Sequence, residues 1–314
     1  NKQIALHGNA GQDTTELEDQ RDAQLDKLSD EMGITYFTRG QNDLVVMTEG
    51  GTTLVDGTTV HPLSFTRVSQ IVPELTYNPG VGGLSGITVD GQDIAPGSGY
   101  AGAIRSGRLA GLFELRDQTM PQAQAQIDEL ASALADGFQR VDSTVTAAGM
   151  TGLFTDGGLA HDRTDPTQVT GLAARIAVNS LVVPEQGGNV WRIRTGMNAT
   201  APGDPGNQTQ VRAFQALFDE SIAFDPSAGL SSNATIGDYA TQFVGFQGNQ
   251  RAALDDLARY QSTISQTLDT QRLDVEGVNV DDEMQKMLLI EQSYAASAKV
   301  IEAVRDMLDK LLEI

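Results

Sequence analysis

Residues 277–314 read GVNVDDEMQKMLLIEQSYAASAKVIEAVRDMLDKLLEI, with no glycine or proline after Gly277. From Met287 onward, apolar residues recur at alternating steps of three and four. Such a seven-residue repeat keeps one narrow stripe facing a partner helix along its length. As a helix, residues 287–311 would be about 37 Å long at 1.5 Å per residue. The stripe consists of Met287, Ile290, Tyr294, Ile301, Val304, Leu308 and Leu311. The alternative is an ordinary terminal helix packed within one subunit.

The remaining sequence alternates between helical and strand-like patterns. A helix is predicted over residues 14–33, because its leucines share one side and Gly33 stops it. Residues 34–100 contain short β-branched and aromatic runs separated by glycine-rich turns, which predicts strands. Helical periodicity returns near Arg108 and again at 208–222 and 249–273. The heptad positions predicted for the middle helix are Met120, Ala123, Ile127, Leu130, Leu134 and Val141.

These patterns predict an α+β fold: a discontinuous helical bundle with heptad-patterned long helices and an inserted small β-rich domain. The predicted boundaries are residues 1–33 for the first bundle part and 34–100 for the β-rich insertion. Residues 101–276 return to the bundle, with a mixed, loop-rich segment at 149–210. Residues 277–314 form the C-terminal coiled-coil helix.

The composition excludes several classes of protein. The 42 acidic and 21 basic residues give a formal net charge of −21. Such a chain is unlike a protein that binds nucleic acid or an anionic membrane surface, because those proteins need clustered positive charge. It has no cysteine, which excludes disulfides and thiolate sites. We therefore predict no nucleic-acid partner, and no membrane insertion because no sufficiently long apolar run occurs.

No catalytic or cofactor-binding motif occurs with the flanking secondary structure or residue spacing that it requires. Gly97–Gly102 matches G-x-G-x-x-G, but no apolar strand precedes it, so we predict a flexible connection. His7, His61 and His161 are widely spaced, which indicates surface or packing roles. The acidic residues beside His161 lack calcium-loop spacing, and Trp191 is predicted to anchor a local core. We expect no catalytic residue, no metal and no cofactor.

The C-terminal segment resembles one protein superfamily, and two earlier blocks resemble one family within it. Residues 277–283, 292–301 and 306–312 are similar to the C-terminal motif of bacterial flagellar axial proteins, which begins G-V-N, continues Q-x-x-Y-x-A-x-A-K/R-V-I and ends D-M-L-x-x-L-L. Residues 18–29 resemble the D-Q-R-D-x-L-L-D-x-L-S helix of the FlgK-type hook-associated proteins. Residues 106–117 are similar to the S-G-x-L-x-G-L-x-x-x-R-D block of that family.

This resemblance implies a secreted, extracellular structural subunit at the junction of flagellar hook and filament, which assembles through terminal helices. The implied partners are further copies of itself, the hook protein, and a neighbouring hook-associated protein or flagellin. The family's N-terminal helical segment, which pairs with the C-terminal helix, has no counterpart here. We therefore expect the sequence to be a fragment.

Three alternatives remain open. Another axial protein, such as a hook or rod subunit, would share the C-terminal motif, although Gln20-Arg21-Asp22 argues against it. An adhesin or glycan-binding module would need exposed aromatic residues in 34–100, where the sequence offers Tyr36, Phe37, Phe65, Tyr77 and Tyr100. An enzyme, such as a peptidoglycan hydrolase, would need a pocket with a strongly perturbed carboxylate.

Overall fold

Long helices and small antiparallel sheets make up the chain, which confirms the predicted α+β class. The computed structural model describes residues 1–40, 42–276 and 280–312, apart from the side chains of residues 276, 306 and 308–312. The chain divides into two compact units, Asn1–Gly245 and Phe246–Ile314. The predicted domain boundaries, and the bundle joining the first, middle and last helices, stay predictions.

Ten helices are present in the described residues. They are α1 (Lys2–Asn9), α2 (Thr15–Glu31), α3 (Gly107–Glu114), α4 (Met120–Arg140), α5 (Pro166–Val169), α6 (Leu172–Arg175), α7 (Arg192–Thr195), α8 (Thr209–Ala216), α9 (Ile236–Glu276) and α10 (Val280–Leu312). A π-helical turn, Leu115–Thr119, joins α3 to α4.

Eleven short strands form four antiparallel sheets in the same part of the chain. They are β1 (Ile34–Arg39), β2 (Asp43–Thr48), β3 (Thr53–Asp56), β4 (Thr59–Val60), β5 (Leu63–Phe65), β6 (Ile87–Val89), β7 (Gln92–Asp93), β8 (Phe154–Asp156), β9 (Ile176–Val178), β10 (Ile222–Ala223) and β11 (Asn233–Ala234). The largest sheet has the order β1-β2-β3-β4, and the others pair β5-β6-β7, β8-β9 and β10-β11.

The first core lies between α2, α3 and the strands of residues 34–95. Met32 ends α2 in an extended conformation and is almost fully buried. Leu28 of α2 and Leu109 of α3 pack against its edge, so the two helices share one apolar cluster with the sheets. The predicted switch from helix to strand after Gly33 is confirmed. The buried members are Met32, Leu54, Ile87, Val89, Ile94, Ala95, Ile104 and Phe113.

The buried face of α4 differs from the predicted heptad stripe. None of the six predicted positions is fully buried, and Met120 is 56% exposed. Apart from Phe138, the buried positions are small or polar: Gln126, Asp128, Glu129, Ala131, Ser132, Ala133, Ala135 and Gly137. Three of the six predicted positions, Leu130, Leu134 and Val141, are partly buried and pack against a hydrophobic cluster that includes Phe138 and Phe214.

Loops elsewhere in the chain obtain hydrogen bonds from α4. Asp128 accepts from the backbone N–H groups of Gly171 and Ala173, at 2.7 and 2.8 Å. The Gln126 amide donates to Ala228 O at 2.9 Å. Buried backbone groups need such partners. The polar face of α4 therefore helps to fix residues 142–235, whose helices and strands are each eight residues or shorter.

A second core covers the rest of α4. The Phe138 and Phe214 rings lie 4.8 Å apart, and Phe224 stacks on Tyr239 at 3.9 Å. Tyr239 belongs to α9, which begins at Ile236 rather than near the predicted residue 249. The earlier start was missed because Gly245 and Gly248 weakened the helical pattern, although glycine inside a helix costs only about 1 kcal/mol.

Candidate assembly interface

The predicted stripe of α10 is exposed. Met287, Ile290, Tyr294, Ile301 and Val304 keep between 47% and 79% of their surface accessible. The side chains of Leu308 and Leu311 lie outside the described residues. Fully burying one such side chain is favourable by about 1.5–3 kcal/mol. The described stripe is therefore a surface whose burial would provide a substantial driving force for association.

A second seam lies beside the first and was missed in the sequence. It runs one residue before the first stripe from Leu289 to Met307 and follows the same four-three spacing, while lysines occupy the equivalent positions at both ends, 286 and 310. Leu289, Val300 and Met307 are its large members, each at least 60% exposed. Adjacent residues lie about 100° apart around a helix. The apolar band is therefore wider than a two-helix seam requires, which indicates contact with more than one neighbour. The smaller members are Ser293, Ala296 and Ala303.

The acidic residues at the start of α10 stabilise its N-terminal end through the helix dipole. Asp281, Asp282 and Glu283 lie in the first turn, where the helix dipole favours negative charge. Lys286 pairs with Glu283 at 2.7 Å. The motif residues Gly277–Asn279 lie outside the described residues.

The long helix α9 also exposes apolar residues. Leu254, Leu257 and Leu268 of its predicted stripe are more than half exposed, and Ile264 is partly buried. Within the unit Phe246–Ile314, the described residues of both helices therefore lack a hydrophobic core of their own.

The block at residues 106–117 forms a joint between α2, the first sheet and α3. The Ser106 hydroxyl donates to Glu49 Oε2 at 2.9 Å, and Gly33 N–H donates to Ser106 O at 3.2 Å. Gly107 adopts a φ of +85°, a conformation that favours glycine. These contacts explain why serine and glycine stand at the start of α3.

The Arg116-Asp117 pair closes the same block. Arg116 donates through Nη1 to Ser85 O at 2.9 Å, and its Nε and Nη2 reach both carboxylate oxygens of Asp117. Its guanidinium also lies over the rings of Phe113 and Tyr77. Burial and the neighbouring carboxylate of Asp93 raise the pKa of the Tyr77 hydroxyl, which donates to Asp93 at 2.9 Å. Arg116 thus ties the π-helical turn to the strand-rich region.

The block at residues 18–29 has an equally structural role. Arg21 donates to the backbone carbonyl and the side-chain oxygen of Asn42, at 3.2 and 3.3 Å. Leu25 is buried with Leu44 and Val46 of β2. The motif therefore fixes α2 on the β1-β2 hairpin.

A cleft of about 660 Å³ lies beside α4 and holds Asp128, Glu129 and Asp225. Each carboxylate is committed to protein partners: Asp128 to two backbone N–H groups, and Glu129 to Arg163 at 2.9 Å. Hydrogen bonds from the backbone and hydroxyl of Ser227 lower the pKa of Asp225. A general acid needs the opposite shift, so the enzyme hypothesis gains no support from this cleft.

The histidine and acidic residues near position 161 form structural contacts. His161 is buried, and its Nε2 lies 2.8 Å from the Ser132 hydroxyl oxygen. Asp162 and Asp165 accept hydrogen bonds from Thr164 and Thr167, which lower the pKa of each carboxyl. In the described part of the chain, no three or more His, Asp or Glu residues form a group able to hold a metal. His61 pairs with Asp90 on the surface, and His7 lies on α1.

Two further sequence features have ordinary structural roles. Residues 97–102 form turns between β7 and α3, and no helix begins within them. Trp191 is only partly buried and does not belong to the main hydrophobic clusters. The Arg192 guanidinium lies over its ring. The prediction that Trp191 anchors a core is therefore wrong. Its neighbour Ile193 packs on the second core instead. No described helix combines the length and apolar character that a membrane span requires.

Comparison with known proteins gives a consistent result. Residues 1–153 match the family model described as "Flagellar hook-associated protein FlgK helical domain", and residues 270–314 match "Flagellar basal body rod FlgEFG protein C-terminal". These matches support identification of the chain as a FlgK-type flagellar hook-associated protein. The first match covers the α2 and α3 blocks, and the second covers α10.

Two curated relatives of this FlgK-type chain are both named flagellar hook-associated protein 1. The Bacillus subtilis protein is 24% identical over 99% of this chain and 61% of its own length. The Escherichia coli protein is 23% identical over 97% of this chain and 65% of its own length. The chain thus spans less than two thirds of either relative. These matches support a structural subunit of the flagellum.

Proposed function

We propose that the chain is the assembling part of a subunit that joins the flagellar hook to the filament. In this role α10 is the assembly element, and its two apolar seams are buried by helices of the same protein and of neighbouring subunits. The observation that carries the proposal is the exposed band on α10 in a member of the hook-associated family. Its partners are further copies, the hook protein, and a neighbouring hook-associated protein or flagellin. The role is structural and extracellular, without catalysis or cofactor.

The adhesin alternative has one observation in its favour. Tyr36, Phe37, Phe65 and Tyr100 are all exposed, as that hypothesis required. However, Tyr36 and Phe37 are adjacent in β1, so their side chains point to opposite faces of the sheet. They cannot form one flat surface for stacking on a sugar ring. The hook or rod alternative is weaker, because the match over residues 1–153 is to the FlgK type.

The test places charges in the α10 seam. Tyr294→Asp with Ile301→Asp, introduced into the gene in the source bacterium, should abolish swimming and filament attachment. Burying two unpaired carboxylates would cost several kcal/mol at each interface. The matched control is Gln285→Asp with Gln292→Asp, which adds the same charge at the same seven-residue spacing on the opposite face. Normal motility and attachment in the seam variant would overturn the proposal. Circular dichroism checks that both variants fold.

A further inference from the structure

One wall of the cleft beside α4 is a single face of that helix. Its lining residues recur every four positions, at 120, 124 and 128 and again at 121, 125 and 129. Residues 120–128 span about 12 Å at 1.5 Å per residue. An extended peptide rises about 3.3 Å per residue. The wall is therefore as long as about three or four residues of an extended chain.

The lining of the cleft includes accessible apolar side chains. Met120 on α4 is 56% exposed, and Ile71 is 61% exposed. Pro73 and Val169 add apolar surface from two other parts of the first unit. Accessible apolar surface in a concave site favours binding of a ligand that covers it.

The two cations that line the cleft are already neutralised. The Arg116 guanidinium reaches both carboxylate oxygens of Asp117. Arg163 pairs with Glu129 at 2.9 Å. An anionic ligand would have to displace one of these carboxylates, so neither arginine offers it a free partner.

The remaining charges of the cleft are negative. Asp128 and Asp225 have no ion-pair partner among the described residues. Asp128 is buried and accepts hydrogen bonds from the backbone of Gly171 and Ala173. Asp225 is exposed and accepts from Ser227 N–H through Oδ1. The exposed carboxylate of Asp225 therefore selects a cationic group on any ligand of this cleft.

The strand β10 adds backbone groups to the same cleft. Phe224 N–H donates to Ser232 O at 2.9 Å, so Phe224 faces β11. Successive residues of a strand present their backbone groups to opposite sides, so Ala223 and Asp225 face away from β11. Asp225 N–H donates to Glu129 Oε2 on α4 at 3.2 Å, which shows that this outward side faces α4.

The outward backbone groups of Ala223 lie open in the cleft. Ala223 is exposed and lines the cleft. In the described part of the chain, no hydrogen bond reaches its outward N–H or C=O. A donor and an acceptor on one residue match the backbone of an extended peptide, which carries both groups in the same spacing.

We propose that this cleft binds an extended peptide segment of another protein, in which apolar residues flank a lysine or arginine. The peptide backbone pairs with Ala223, as a peptide does when it adds to the edge of a sheet. The basic side chain pairs with Asp225, and the apolar neighbours cover Met120 and Ile71. A free apolar amine has the required charge but lacks the backbone groups that Ala223 pairs with, which favours a peptide as the occupant.

Nuclear magnetic resonance tests the site directly. The probe is acetyl-Val-Lys-Val-Leu-amide, added to the isotopically labelled full chain. The amide resonance of Ala223 should move downfield and saturate, because its N–H gains an acceptor. Acetyl-Val-Glu-Val-Leu-amide should bind at least roughly tenfold more weakly, because it loses a charge-assisted hydrogen bond and meets a like charge. Equal binding of the two peptides, or no shift at Ala223 with millimolar peptide, overturns the proposal.

Two further measurements test the choice of occupant. Hexylamine carries the charge and the apolar group without a peptide backbone. If it binds as tightly as the lysine peptide and moves Ala223 equally, the ligand is a small amine and the proposal fails. A shift of Ala223 that grows with chain concentration in the absence of peptide would show that a second copy covers the cleft, which overturns it as well.

Substitutions in the chain separate the cleft from the overall charge. Asp225→Asn should weaken binding of the lysine peptide roughly fivefold to tenfold, because a neutral hydrogen bond replaces a charged one. Asp219→Asn removes the same charge from an exposed residue outside the cleft and should leave binding unchanged. Equal effects of the two substitutions would show only general attraction to an acidic chain, and would overturn the proposal.

A substitution on the α4 wall tests the position of the ligand. Ala125 is exposed and lines the cleft, so Ala125→Trp should fill it and abolish binding. Leu112→Trp, on the exposed side of α3, should leave binding unchanged. Full binding by a folded Ala125→Trp chain overturns the proposal; if that variant does not fold, the Asp225→Asn result decides. The site is separate from α10, so Tyr294→Asp with Ile301→Asp should not affect peptide binding.

Discussion

Gly107 lies directly against the end of α2, so that a Cβ at Gly107 would come within 2.5 Å of the Cα of Met32. The nearest atoms are backbone atoms of Met32 and Glu31, which cannot rotate away as a side chain can. The same glycine has a φ of +85°. The joint between α2 and α3 therefore depends on a missing side chain.

Gly107→Ala should lower the free energy of unfolding by about 2–4 kcal/mol, because it combines a strained φ with a backbone clash. Chemical denaturation of the first-unit core gives the measurement. Gly111→Ala is the matched control, since Gly111 lies in the same helix with open space around its Cβ position. There we expect a gain of about 0.5–1 kcal/mol from helix propensity. Equal effects at the two positions would contradict the close-packing explanation.

Asp128→Ala should destabilise the chain by about 2–4 kcal/mol, because it leaves the buried N–H of Gly171 and the partly buried N–H of Ala173 without this acceptor. Asp128→Asn keeps one acceptor oxygen and should cost less. Urea unfolding of the two variants distinguishes lost hydrogen bonds from lost volume. Similar losses in both variants would show that the second carboxylate oxygen matters as much as the first.

The features that the sequence predicted correctly are local ones. The strand after Gly33 and the helix after Val280 follow from periodicity and from glycine positions near each element. The polar face of α4 could not be predicted in this way. Gln126 and Asp128 are buried because distant loop backbones need partners, and periodicity treats polar residues as exposed. The position of β1 at an edge of its sheet likewise depends on strand order, which no local pattern determines.

Replacing Arg116 with lysine should lower the free energy of unfolding by about 1–3 kcal/mol. A lysine cannot reach Ser85 O and both oxygens of Asp117 from one planar group, nor stack in the same way on Phe113. Thermal or chemical unfolding measures the change. Arg108→Lys is the control, because that side chain is 71% exposed and its ion pair with Glu31 should contribute little. The loss in free energy of unfolding should be clearly larger for Arg116→Lys than for Arg108→Lys.

His161 predicts a pH dependence of stability. Burial lowers its pKa in the folded chain below the ordinary value of about 6.5, although Asp136 and Asp156 oppose the shift. As the pH falls through 6.5, the unfolded chain binds this proton first, so the folded state loses stability from that pH down to the folded pKa. Above that window His161 contributes no pH dependence.

Urea unfolding between pH 8 and pH 5 checks this prediction. His161→Gln should lose the part of the pH dependence that begins near pH 6.5, while His7→Gln, which replaces an exposed imidazole, should keep it. Carboxylates contribute equally to the pH dependence of both variants. The difference between their two curves of unfolding free energy against pH therefore reports on His161 alone. Parallel curves for the two variants would contradict the assignment.

Because α10 is exposed, we expect its backbone amides to be weakly protected from hydrogen exchange in the free chain. A helix whose described side chains are all exposed is stabilised mainly by its own backbone, and such a helix is marginal in water. Amide hydrogen exchange of residues 281–305 should therefore be much faster than that of residues 126–138 in α4, which lie at a core. Assembly into filament junctions should slow exchange in α10 and leave α4 unchanged. If α10 is already as protected as α4 in the isolated chain, its apolar band is covered without a partner, and the proposed assembly role fails.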